Sequence, residues 1–184
     1  MSVEETLAEL VAIDSTSSRS NVEIIRWLAG RAEALGLCAR LLPYTDERGV
    51  EKLQMVAVHP RDFREGGGVE LAIVGHTDVV PFDRAWAEAL TLKEREGKLY
   101  GRGACDTKGF IAAALTAIGE TGVDKLARPL ALVFTADEEV GCLGAKRLAE
   151  LKPFRARHAC RSRVEQLYRF TGIQFGITTG SFTP

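Results

Sequence analysis

Val3, Leu7, Leu10 and Val11 recur at the spacing of one helical face, and the serine-rich run of residues 15–20 ends that pattern. A second helix is predicted over residues 22–35. Ile24, Trp27, Leu28 and Leu35 share a face, Asn21 offers a side-chain cap, and Gly36 stands where helices terminate in a left-handed residue. Then the period changes. Residues 37–42, 53–58 and 69–74 are short apolar or alternating runs separated by Pro43, Gly49, Pro60 and Gly66-Gly67-Gly68. Each reads as a strand, the third apolar enough to be central. Residues 91–100 read as a hairpin turning at Glu96-Gly97, residues 108–118 as a helix and residues 130–135 as a buried strand. Residues 141–151 form a last helix, closed by Pro153.

Helices alternating with near-continuous apolar strands predict an α/β fold, an open, mostly parallel or mixed sheet flanked by helices. At 184 residues and 46% hydrophobic content, the chain can bury one sizeable core and is too short for two ordinary domains. Residues 155–184 differ from the rest. Scattered arginines, little periodicity and a polar, Gly/Thr-rich end mark them as a poorly ordered tail after a domain spanning residues 1–154.

Charge removes some partners. Lysine plus arginine (24) nearly balance aspartate plus glutamate (25), leaving no net field for nucleic acid or anionic lipid. The opening MSVEETLAEL is acidic and amphipathic, unlike an export signal, and no apolar run has the length of a membrane span, so a cytoplasmic protein is expected. Cys38, Cys105, Cys142 and Cys160 are too scattered for a zinc motif or a disulfide framework, which fits reduced thiols.

The chemistry gathers where predicted strands stop. After the strand at residues 69–74, Gly75-His76-Thr77-Asp78 sets an imidazole and a carboxylate two positions apart, on one side of an extended chain. That spacing suits a metal-binding histidine steadied by a carboxylate, and equally a strand-end histidine beside an ordinary aspartate. The glycine-punctuated loop Gly101-Arg102-Gly103-Ala104-Cys105-Asp106 opens onto a helix, where Asp106 could be a ligand or simply an N-cap. Asp137-Glu138-Glu139 follow the buried strand LALVFT. Three adjacent acids repel one another, so the run is either a solvated turn or a place where a cation neutralises part of it. Carboxylates with a histidine suit zinc, cobalt or manganese. Taken jointly, three loops deliver His76, Asp78, Asp106, Glu138 and Glu139 to the end of a sheet where α/β folds bind ligands.

GHTDVVP, GRGACDTKG and TADEEVG, in this order, resemble the M20 family of metallopeptidases and amidohydrolases, over residues 7–153. HTDVVPFD followed by Trp86, then GKLYGRG and DTKGF, is most similar to the acetylornithine deacetylase branch, with succinyl-diaminopimelate desuccinylases next. The resemblance implies an amide hydrolase with two divalent ions, zinc or cobalt, acting on a small N-acyl amino acid. It assigns metal ligation to His76, Asp106 as bridge, and Glu139; Asp78 would orient the histidine and Glu138 would be the general base. It also implies a cis peptide at Asp106-Thr107.

The family completes its site with a later carboxylate in a G-E-P-T motif and a distant histidine, and homodimerises through an inserted domain. None of these is visible here, and Glu165, near the expected place, lacks the motif. The expectation is therefore an incomplete catalytic domain, truncated or shifted in frame after about Pro153. It would hold its ions weakly and expose strand edges that lower solubility. His59, before Pro60, is read as structural, and Cys105 as a small buried packing residue.

Overall fold

The computed structural model describes residues 1–62 and 68–161. In chain order the elements are α1 (Val3–Ala12), α2 (Val22–Ala34), β1 (Cys38–Thr45), β2 (Glu51–Val58), β3 (Gly68–His76), β4 (Lys93–Arg95) and β5 (Lys98–Tyr100). They continue with α3 (Gly109–Thr121), β6 (Leu130–Thr135), α4 (Leu143–Leu151) and β7 (Arg155–Arg161). Local chemistry explains most boundaries. Ser2 and Glu5 form a reciprocal capping box at the start of α1. Gly36, with φ of 88°, ends the turn after α2. Glu96 and Gly97 both take positive φ, the geometry of a two-residue hairpin turn.

Five strands form one mixed sheet in the order β1-β2-β6-β3-β7, and β4 and β5 form a separate hairpin. β1 with β2 and β2 with β6 pair antiparallel, whereas β6 with β3 and β3 with β7 pair parallel. α1, α2 and α3 cover one face, where Leu10, Leu28, Ile111 and Leu115 meet Met55, Leu132 and Phe134. The alternate residues Val56, Val58, Ala131 and Val133 pack on the other face with Leu148 of α4. This is the helix-flanked mixed sheet that the pattern predicts. Among the described residues, no helix is long and apolar enough to cross a membrane.

Four expectations change. The Asn21 side chain does not cap α2; it bonds both backbone groups of Leu53, at 2.8 and 2.9 Å, and reaches Thr77 Oγ1 at 3.1 Å. Pro43 lies inside β1 and does not end it, which an outer strand tolerates. α4 starts at Leu143, because Gly141 and Cys142 have φ of 108° and 58°, outside helical backbone. Residues 155–161, expected in the tail, form β7 against β3; nothing in their alternation announced it, since they are largely exposed and held by backbone pairing. The remainder of that tail lies outside the described residues.

Candidate metal centre

Two adjacent parallel strands end level with each other, His76 of β3 standing in register with Thr135 of β6. Thr77 ties the ends together, its amide (2.9 Å) and its hydroxyl (3.0 Å) both donating to the Thr135 carbonyl. Asp78 follows one strand end, and Asp137, Glu138 and Glu139 follow the other. Asp106 arrives from the turn before α3. There Thr107 Oγ1 donates to the His76 carbonyl at 3.0 Å, and the Asp106-Thr107 peptide is cis. This turn lies so close to the strand-end loop that a Cβ on Gly103, whose φ is 75°, would stand 2.5 Å from Val79 Cγ1. Asp106 is no N-cap, since Lys108 occupies the cap position of α3.

His76, Asp106 and Glu139 offer one nitrogen and two oxygen donors that all lie within 4.8 Å of one another. His76 Nε2 is 2.9 Å from Asp106 Oδ1 and 3.8 Å from Glu138 Oε2. The histidine is buried, whereas the Asp106 and Glu138 side chains keep 40% and 43% of their exposure, so solvent and small molecules reach the oxygens.

Asp78 divides its work. His76 Nδ1 lies 3.0 Å from the Asp78 backbone carbonyl and 3.6 Å from its carboxylate, so the carbonyl is the nearer partner of the ring. The carboxylate oxygens accept the amides of Glu138 and Glu139, each at 3.1 Å, and the Ser17 hydroxyl at 2.9 Å. One residue thus fixes the ring through its backbone and the acidic loop through its side chain. The strand-end motif shows the His-Asp pair, but not this second duty.

Electrostatics favour a cation here. Burial works against a charged His76, but hydrogen bonds to Asp106 and Asp78, and their charges, outweigh it and push the imidazole up to about 10. Burial pushes the Glu139 carboxyl up; His76 opposes that rise, while Asp106, Glu138 and Asp78 add to it. A carboxyl pushed up by burial and by neighbouring acids marks a place where added positive charge would be favourable. The donor set, one imidazole nitrogen with carboxylate oxygens, fits a divalent ion of the zinc, cobalt or manganese type, whose uptake would displace the histidine proton.

The sequence of peptidase family M20/M25/M40 matches residues 72–175, more than half of the chain. The chain belongs to that family. The match runs past Pro153, where the motif pattern alone ends the resemblance. Acetylornithine deacetylase of Myxococcus xanthus is 52% identical over 154 residues, which are 84% of this M20 chain and 40% of that protein. The crystal structure of human carnosine dipeptidase 1 aligns with a TM-score of 0.67 and 25% identity, over 87% of this chain and 38% of that one. An M20 family metallo-carboxypeptidase from Sulfolobus solfataricus aligns with a TM-score of 0.65 and 25% identity, over 88% and 37%. The M20 chain thus spans about two fifths of the length of these relatives. The Sulfolobus neighbour is, by its name, a metalloenzyme.

Other expected residues fall elsewhere. His59 pairs with Asp124 at 3.1 Å, between the end of β2 and the turn before β6, which is a structural position. Cys105 is exposed, contrary to the packing role expected of it, and all four cysteines are unpaired. Glu165 lies outside the described residues. Sequence reasoning missed Tyr44, Lys52 and Ser17, which hold the acidic loop from behind. The available signal was a lysine inside an otherwise apolar strand, Glu51–Val58.

Proposed function

We propose that this chain carries the metal-binding half of an amidohydrolase that removes the acyl group from an N-acyl amino acid, N2-acetylornithine being the substrate. The carrying observation is the gathering of His76, Asp106 and Glu139 around one point with Glu138 at its rim. The choice of substrate is supported by 52% identity to a deacetylase acting, by its name, on acetylornithine. The free thiols support a reducing, cytoplasmic setting.

In this reading His76, Asp106 and Glu139 would together hold divalent metal of the zinc or cobalt type. When bound, such ions polarise an amide carbonyl and lower the pKa of a nearby water. The chain's own residues do the rest. The Asp78 carbonyl keeps a proton on His76 Nδ1, which leaves Nε2 free to ligate. Glu138, half exposed at the rim, takes the proton from the attacking water on a carboxylate oxygen and delivers it to the leaving amine nitrogen.

The test is an assay of the 184-residue chain with added cobalt or zinc, on N2-acetylornithine and on N-succinyl-diaminopimelate. Turnover of the first above background is expected, with Glu138→Gln lowering it by about 2 to 4 orders of magnitude while cobalt binding is unchanged. Preference for the succinyl substrate would reassign the specificity. Cobalt binding without turnover of either would make the chain a non-catalytic metal-binding fragment, and loss of cobalt binding on Glu138→Gln would overturn the base assignment.

A further inference from the structure

Asp137 belongs to the same acidic run as Glu138 and Glu139 but is 1% exposed, with a left-handed backbone at φ of 57°. Lys52 Nζ, also 1% exposed, donates to its Oδ1 at 2.7 Å, and Tyr44 Oη donates to its Oδ2 at 2.8 Å. Both oxygens are thereby committed. Tyr44 and Lys52 are register partners on β1 and β2, so one cross-strand pair grips one carboxylate. Burial and the Asp137 carboxylate both raise the Tyr44 hydroxyl, which stays protonated and donating. The Arg147 guanidinium lies over its ring, 4.8 Å from the centroid.

Lys52 has two further partners, the carbonyls of Ser17 (2.8 Å) and Arg19 (2.9 Å). Three donors meet three acceptors, the full capacity of an ammonium. Ser17 in turn donates its hydroxyl to Asp78, whose carboxylate accepts the amides of Glu138 and Glu139. The connections close a ring: Lys52 to Asp137, along the chain to Glu138 and Glu139, across to Asp78, through Ser17 and back to Lys52. His76 touches the ring through the Asp78 carbonyl.

We propose that Lys52 and Tyr44 are positioning residues, which set where the Glu138-Glu139 segment stands relative to His76 by clamping Asp137 and Ser17 from beneath the sheet end. A buried ion pair is seldom the most stable filling for such a volume, since apolar side chains of similar size commonly do as well. What the pair supplies is direction. Lys52 points at two loops at once and fixes their separation, which an apolar residue could not do. The inference rests on the metal-site reading only for its consequence in ion binding; the clamp itself is a statement about the loop.

The experiment uses the 184-residue chain with Tyr44→Phe, Lys52→Met and Lys52→Arg. The first readout is amide hydrogen exchange at Glu138 and Glu139 in metal-free protein, with Val56 and Val133 of the β2–β6 ladder as internal references. The second is the cobalt dissociation constant and absorption spectrum. Tyr44→Phe should speed exchange at the two glutamate amides about tenfold with the references unchanged, and should weaken cobalt binding by about 10- to 100-fold, the range for groups that orient ligands. Lys52→Met should do more, and Lys52→Arg should restore part of the protection. Wild-type exchange at both amides in Tyr44→Phe would overturn the clamp, including where Lys52→Met fails to fold. If the unaltered chain takes up no cobalt, the metal-site reading fails, while the exchange result still decides the clamp.

Discussion

Asp137 and Glu139 stand two residues apart and face opposite electrostatic settings. Asp137 is enclosed, and a lysine of the same chain neutralises it. Glu139 is partly exposed beside Asp106, Glu138 and Asp78, with His76 as the nearby positive group, and its carboxyl is pushed up by burial and by those acids. The protein therefore encloses one carboxylate with a dedicated counter-charge and leaves the other among acids, open to solvent. The first arrangement gives a fixed geometry and the second leaves capacity for a ligand, so an acidic run at a strand end does not carry one meaning throughout its length.

Removing the internal counter-charge should have the largest effect. Lys52→Met leaves Asp137 buried without its counter-charge, with only the Tyr44 hydroxyl of the clamp still donating to it, at an expected loss of about 3–5 kcal/mol of stability in a urea melt. Adding Asp137→Asn should recover much of that loss. If Lys52→Met is as stable as wild type, Asp137 is not held by charge. On the open side, Asp106→Asn should weaken cobalt binding by more than the roughly 100-fold seen for groups that merely orient ligands. The metal-free melt should change by less than about 1 kcal/mol, because the lost pairing with His76 is offset by the loss of one repelling acid; a large loss of stability would mean that this cluster, too, is structural.

Asn21→Ala separates stability from ion binding. It strips the Leu53 amide and carbonyl of their partner, at an expected 1–3 kcal/mol, and should leave cobalt affinity within about threefold if the clamp alone governs the acidic loop. The smallest effect is expected at Asp14. Burial raises its carboxyl, but Thr16 and Arg19 outweigh this and hold it below the ordinary 3.8. A depressed carboxylate contributes stability above its unfolded pKa and loses it as pH falls through the folded value. Asp14→Asn should therefore cost less than about 1 kcal/mol at pH 7, with the difference from wild type vanishing in melts at pH well below 3.8.

Much of the scaffold was legible along the chain. The spacing of Leu7, Leu10, Ile24 and Leu28, and the apolar runs of β2, β3 and β6, carry their own period, so helices and strands were placed with small errors at their ends. The errors have local causes: Gly141 and Cys142 in left-handed backbone delay α4, and Pro43 is tolerated on an outer strand. β7 was missed because exposed edge residues owe their conformation to the neighbouring strand and show no alternation of their own.

The sequence by itself determined which residues could do chemistry: His76, Asp78, Asp106, Glu138 and Glu139 each stand at the end of a predicted element, in motifs that can be read without coordinates. Only the tertiary structure decided which acid is neutralised inside the protein and which stays open to solvent. That division depends on Lys52 lying 2.7 Å from Asp137, 85 positions away along the chain. Coulomb energy depends on distance through space and on burial, and neither is written in the order of residues.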